Sequence, residues 1–305
     1  MNNIKSIFSK NKDEIELVKF IARFQYLSIK DVQYFFDSTY YPKRITKLVQ
    51  NNILRRYKKY LVLAENGKYF VQTLGQEATQ LRYDKKYTER LKFISHLAVI
   101  YRKEAFVKFI PSFEIKDKNI FTETSRKYIG ILKIFGTSYL TYHIAKEHTQ
   151  KYINSVIYDL QKESNYKNII VLIDNINRIN FSDFIFGFNS LIVCEDTDEQ
   201  LKKLAYIQQI NWQKAVQNLY NNVHISEYNF CDYTNNKNKY ISTFYMLDTE
   251  KINRINMFLK NNENKKIDII SSEEESLILR KLLLQVNYNT INLSEFIDRN
   301  VRIYD

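Results

Sequence analysis

Glycine, proline and cysteine are all scarce in this 305-residue chain, at 5, 2 and 2 copies. The glycines, at 67, 75, 130, 136 and 187, are too scattered to build a GxxxxGK or GxGxxG loop, which leaves ATP-driven and dinucleotide chemistry without support. Cys194 and Cys231 form no CxxC and have no neighbouring His pair. Neither a zinc site nor a disulfide framework is expected, and a reducing, cytoplasmic location fits. No apolar stretch approaches the ~18 residues needed to span a bilayer, and the N-terminus lacks an apolar signal core, so no membrane partner is expected. No Ser or Cys stands in a recognisable catalytic motif. The chain is expected to hold no metal and no cofactor.

Aromatic residues make up 15% of the chain and apolar residues 45%, the profile of a chain that buries a core. The charge is uneven. Residues 1–103 hold 21 Lys and Arg against 9 Asp and Glu, while residues 104–305 hold 25 of each. The whole +12 surplus therefore belongs to the first third. A positive field confined to one module attracts a polyanion, and duplex DNA is the first partner to consider.

The basic third has the spacing of three helices and a hairpin. Ile15, Val18, Phe20, Ile21 and Phe24 mark a first helix over 14–24. Ser28 as N-cap with Asp31 three residues on marks a second over 29–36. A third runs from about Tyr41 to Asn51 with Pro42 in its first turn, where proline is tolerated. Ile45, Leu48 and Val49 form its inner stripe, which leaves Lys43, Arg44, Lys47 and Gln50 outward. The strand-like run 53–63, an Asn66-Gly67 turn and a second strand over 69–73 complete a hairpin.

Helix, helix, basic helix and basic hairpin is the order of a winged helix-turn-helix, whose third helix enters the major groove while its wing lies on phosphates. In that arrangement Lys43, Arg44, Lys47 and Gln50 face base edges or phosphates. Arg55, Arg56, Lys58, Lys59 and Lys68 neutralise phosphate, and Thr39, Tyr40 and Tyr41 add contacts at the helix start. A solvated cationic face is the alternative that the pattern leaves open.

The expected fold class is mixed α/β. A winged helix-turn-helix domain over 1–86 is followed by a connecting helix over 87–110 and a mixed α/β domain over 111–305, divisible at 234/235. The helical face Leu91, Ile94, Leu97, Ala98 and Tyr101 marks the connector. Strand-like 168–173 and 191–194, then strand, helix, strand, helix over 241–247, 251–259, 267–270 and 273–285, carry the alternation. Asp248 and Ser272 to Glu275 look like helix starts, and Trp212 like a core residue.

The Thr73-Leu74-Gly75 segment, the helical His96-Leu97-Ala98-Val99 run and the α/β domain beyond it resemble the replication-relaxation family of plasmids and integrative elements, over roughly residues 10–200. The resemblance implies a restriction-endonuclease-like second domain, whose active members hold Mg²⁺ with a Pro-Asp and a Glu-x-Lys on neighbouring strands. The matching hairpin is 126–135 with 138–146. There this chain has Ser125-Arg126-Lys127 and Tyr142-His143-Ile144-Ala145-Lys146, so the core is expected to be degenerate and catalytically silent. Glu123, Glu147 and Asp174 are the carboxylates nearest to a substitute set. His143 and His148, five apart, lack the i, i+4 spacing of a helical metal pair.

The function expected is sequence-specific binding of double-stranded DNA in replication initiation or transfer of a plasmid, phage or conjugative element. A homodimer and replication or transfer proteins are its further partners. A winged-helix transcriptional regulator and a metal-dependent nuclease stand as alternatives.

Overall fold

The computed structural model describes residues 12–37, 40–78, 84–116, 127–163, 165–235 and 239–297. The chain divides into two compact units, Met1–Lys103 and Glu104–Asp305. That boundary coincides with the step in charge, so the basic surplus and the first unit are the same stretch of chain.

In unit 1, helix α1 (Lys12–Phe24) buries Leu17, Val18, Ile21 and Phe24. It stops at Gln25, which takes a positive φ of 69°. Strand β1 (Leu27–Ser28) follows, then a 3₁₀ turn over Asp31–Phe35 in place of the expected second α-helix. Ser28 does not cap that turn at its start; its Oγ accepts from Lys30 N at 3.3 Å. Helix α2 (Tyr41–Gln50) carries Pro42 in its first turn and buries Ile45 and Leu48.

Strands β2 (Leu54–Tyr57) and β3 (Tyr60–Leu63) pair antiparallel with Tyr57 opposite Tyr60, and β1 adds to the far side of β3. The hairpin is shorter than its sequence suggests. It turns at Lys58-Lys59, and the Asn66-Gly67 pair expected as its tip lies inside helix α3 (Glu65–Thr73). Gly67 serves packing there: a Cβ on it would stand 2.1 Å from Ile53 O. Asn66 holds the same junction, its Nδ2 donating to Asn51 O at 2.9 Å.

Helix α4 (Lys85–Ile100) is capped by Asp84, whose Oδ1 accepts from Tyr87 N at 2.9 Å. It packs on α1, β1 and the 3₁₀ turn. The connecting helix expected over 87–110 is thereby corrected. It ends at Ile100, belongs to unit 1, and residues 107–111 are a strand of unit 2. Leu17, Val18, Ile21, Val32, Phe35, Ile45, Leu48, Leu61, Phe70 and Val99 share one core. Burying each large side chain contributes about 1.5–3 kcal/mol.

Unit 2 is a mixed α/β body with two five-stranded sheets. Strand β4 (Val107–Pro111) leads through the short helix α5 (Ser112–Lys116) to β5 (Tyr128–Ile134), which pairs antiparallel with β4 and with β6 (Thr137–Ile144). Helix α6 (Gln150–Lys162) crosses over to β7 (Asn168–Ile173), parallel to β6, and β8 (Ser190–Glu195) continues the parallel order. β7 is apolar from Ile169 to Ile173 and buried along that length, as a parallel strand covered on both faces should be. After helices α7 (Asp198–Leu204) and α8 (Trp212–Gln217), the second sheet begins with β9 (Val223–Ile225) and β10 (Tyr233–Asn235). It adds the parallel strands β11 (Tyr240–Phe244), β12 (Ile267–Ser271) and β13 (Val286–Thr290), joined by helices α9 (Thr249–Asn261) and α10 (Glu273–Leu282).

A division at 234/235 would cut through β10 and part its residues from their partners in β9 and β11, so that expected subdivision is not where the structure changes. Both sheets instead contribute to one hydrophobic cluster, in which Ile169, Val171 and Val193 meet Phe244, Ile267 and Ile269. Asp248 and Ser272 cap α9 and α10, their side chains accepting from Lys251 N and Glu275 N. Trp212 is half-buried against the smaller cluster of Val216, Ile241 and Ile270.

Candidate nucleic-acid interface

Two inner residues, Ile45 and Leu48, fix which way α2 faces, and the cations take the remaining directions. Lys43, Lys47 and Gln50 are exposed. Arg44 is half-buried and held: its guanidinium lies 3.8 Å from the Asp13 carboxylate and 5.6 Å from the centroid of Phe36. Phe36 stacks on Tyr41 at 6.1 Å and 13°. Tyr41 is therefore a support of the helix start, while Tyr40 is exposed, its hydroxyl accepting from Lys43 Nζ at 3.1 Å. Thr39 lies outside the described residues.

Acidic groups border this surface. Glu14, on the first turn of α1, is buried. Burial holds its carboxyl above the ordinary glutamate value, while the positive charges of Arg44 and Lys47 draw it back down.

The hairpin presents its charge at an edge. β2 is the outer strand of the three, and Arg55 and Arg56 on it are both exposed. Lys58 and Lys59 occupy the turn, with Lys58 at φ 53°, a left-handed conformation that costs a non-glycine residue about 1–2 kcal/mol. Beneath the turn lies an aromatic shelf. Tyr26 packs 6.2 Å from both Tyr57 and Tyr60, and Lys92 Nζ of α4 sits 4.6 Å from the Tyr60 ring centroid. Lys59 O accepts from Ile29 N at 3.0 Å. Lys68 does not belong to this set. It rides on α3 and pairs with Glu65 at 2.9 Å, a correction that follows from Asn66-Gly67 being helical.

α4 and the turn after it fasten unit 1 together through His96, Arg102 and Lys103, whose partners lie far along the chain. His96 Nδ1 lies 3.0 Å from Oδ2 of the buried Asp31. Arg102 pairs with Glu16 and donates to Tyr34 O at 3.3 Å, and Lys103 reaches Asp37 at 3.0 Å. No spacing rule links these partners, because His96 and Asp31 are 65 residues apart in the chain.

In unit 2 the expected hairpin forms as β5 and β6. The carboxylates nearest to it are dispersed or occupied. Asp174, just past β7, is paired with Arg178, which also donates to the carbonyls of Ala145 and His148. His143 Nε2 lies 2.8 Å from Asp196 Oδ2, and Glu147 is exposed. Glu123 and Arg126 lie outside the described residues. Among the described residues no group of three His, Cys, Asp or Glu side chains is placed to hold a metal ion. Cys194 and Cys231 are buried, and burial pushes both thiols up, away from the thiolate that nucleophilic chemistry needs. Among the described residues no helix is long and apolar enough to cross a membrane.

Compared with protein-family models, with curated proteins and with solved structures, the chain finds no match in any of the three.

Proposed function

We propose that unit 1 is a winged helix-turn-helix that binds duplex DNA sequence-specifically, with α2 in the major groove and the β2–β3 turn on the flanking backbone. One observation carries the reading. The chain runs helix, strand, 3₁₀ turn, helix, two-strand wing, with β1 added to the return strand of the wing in the order β1-β3-β2, and the whole charge surplus falls within that one unit. Base reading falls to Arg44, whose guanidinium lies 3.8 Å from the Asp13 carboxylate and over the Phe36 ring, and to Lys47 and Gln50. Arg55, Arg56, Lys58 and Lys59 carry the phosphate contacts.

The resemblance to the replication-relaxation family extends this proposal to replication initiation or transfer of a plasmid, phage or conjugative element. The antiparallel meander β4–β5–β6, crossover α6 and parallel β7 support a restriction-endonuclease-like reading of the first sheet of unit 2. With Asp174 engaged by Arg178, that sheet serves as a scaffold for partners in this reading. Selection of genomic fragments by the purified chain tests it. Recovery of repeated motifs beside one replication or transfer origin is expected. Scattered promoters would replace the mobile-element role with transcription, and recovery of no preferred fragment would remove sequence-specific DNA binding.

A further inference from the structure

Helix α10 has two faces of different character. Glu275, Ser276 and Leu279, with Leu283 just past its end, are buried in unit 2. The opposite side exposes Glu273, Leu277, Arg280 and Lys281, and beyond the last turn Leu284. Leu277 is 62% exposed and Leu284 84%, while the remaining leucines of this stretch are buried or half-buried. Positions 273, 277, 280 and 281 fall on one stripe of a 3.6-residue helix. An exposed leucine alone means nothing. This stripe, however, has an order: acid at its start, leucine at its middle, base at its end.

That order is complementary to its own reverse. Laid antiparallel on a second copy with Leu277 against Leu277, Glu273 faces Lys281 of the other copy, four residues either side of the centre, and Glu274 faces Arg280, three either side. A two-fold axis through Leu277 generates both sets of pairs at once, as an isologous contact requires. A parallel arrangement would place acid on acid and base on base, which is destabilising. Glu274 is already oriented within its own chain by Gln200 Nε2, which donates to its Oε1 at 2.9 Å, and by Lys203 Nζ, 3.4 Å from its Oε2, and Arg280 is steadied over the Tyr288 ring at 4.6 Å from its centroid. Both groups meet a partner with their geometry partly set.

We propose that α10 is a homodimer contact, pairing antiparallel with α10 of a second copy about Leu277. One pair of short helices covers well under the ~800 Å² per partner of a standard interface, so the association is weak and concentration-dependent. It does not depend on DNA binding and stands or falls without it.

Sedimentation velocity of the full chain without DNA, over a series of concentrations, tests the contact. The mass is expected to climb from that of one chain towards two across the micromolar range. Leu277→Glu, at an exposed position, is expected to leave monomer throughout. Glu273→Lys and Lys281→Glu each set like charges face to face and are expected to weaken the dimer at least tenfold. Combining them restores opposite charges and is expected to restore dimerisation. Circular dichroism on each variant separates loss of contact from loss of fold. A wild-type chain that stays monomeric throughout, a dimer indifferent to Leu277→Glu, or a double variant no better than either single one would each overturn the proposal.

Discussion

The β2–β3 hairpin offers the cleanest perturbation, because its backbone and its charge can be changed separately. Lys58 sits in the left-handed region at φ 53°. Lys58→Gly removes one positive charge and also about 1 kcal/mol of backbone strain, so the tight turn survives the substitution. Lys59→Ala removes the second charge from a position whose structural contact, the carbonyl accepting from Ile29 N, belongs to the backbone. The double variant should therefore keep the hairpin and lose only phosphate neutralisation. Each phosphate contact adds about 0.9 to the slope of log affinity against log salt, so the slope should fall in size by about 1.8. Between roughly 50 and 200 mM salt, that difference narrows the gap between wild type and variant about tenfold, with the largest loss of affinity at low salt. Fluorescence anisotropy titrations on a cognate and a scrambled duplex measure this directly. Both duplexes should weaken alike. An unchanged slope would place the turn off the DNA, and loss confined to the cognate duplex would make the wing a base reader and refute the division of labour.

Three further outcomes follow from the same geometry. Arg44→Ala should flatten preference at one or two base pairs by about 1–3 kcal/mol each while sparing most non-specific affinity; competition against a panel of single-base variants would show it, and a uniform loss would argue for a phosphate contact instead. Gly67→Ala would bring a Cβ to 2.1 Å from Ile53 O and 3.1 Å from Leu63 Cδ2. The overpacking costs about 1–3 kcal/mol against a gain of up to ~1 in helix propensity, so chemical denaturation should show a net loss, and a stabilised variant would contradict the close approach. Glu14, its carboxyl raised by burial, binds its proton more tightly folded than unfolded. Its contribution to stability is therefore present at low pH and lost as pH rises through the carboxylate range. Glu14→Gln should be more stable than wild type at pH 7 and equal to it near pH 4, whereas a less stable variant at pH 7 would mean that attraction to Arg44 and Lys47 outweighs desolvation.

Much of this molecule is legible in one dimension. The step in charge near residue 104, which summing along the chain reveals without geometry, coincides with the boundary between the two units, although the sequence reading placed its divisions at 86/87 and 110/111. Helix α2 could be placed from the spacing of Ile45 and Leu48 and from Pro42 at its start, because helix periodicity and proline's fixed φ are local. Strand β7 was visible as an unbroken apolar run, and the caps Asp248 and Ser272 as polar residues at the heads of periodic segments. Other features depended on residues far along the chain. Asn66-Gly67 has the local chemistry of a hairpin tip, yet it lies in a helix, where the glycine answers a distant demand instead: the Ile53 carbonyl approaches so closely that only a residue without Cβ fits. α4 looked like a connector because nothing near it in sequence announces Asp31 as the partner of His96, or Glu16 and Tyr34 as those of Arg102. Local propensity is set by a residue and its immediate neighbours, whereas these pairings exist only once packing has brought distant segments together. The sequence by itself thus determined which third of the protein carries positive charge and which helix presents it. Tertiary structure decided where the β2–β3 hairpin turns, that α4 belongs to the basic unit, and which cations, Lys58 and Lys59 but not Lys68, stand at the hairpin's tip.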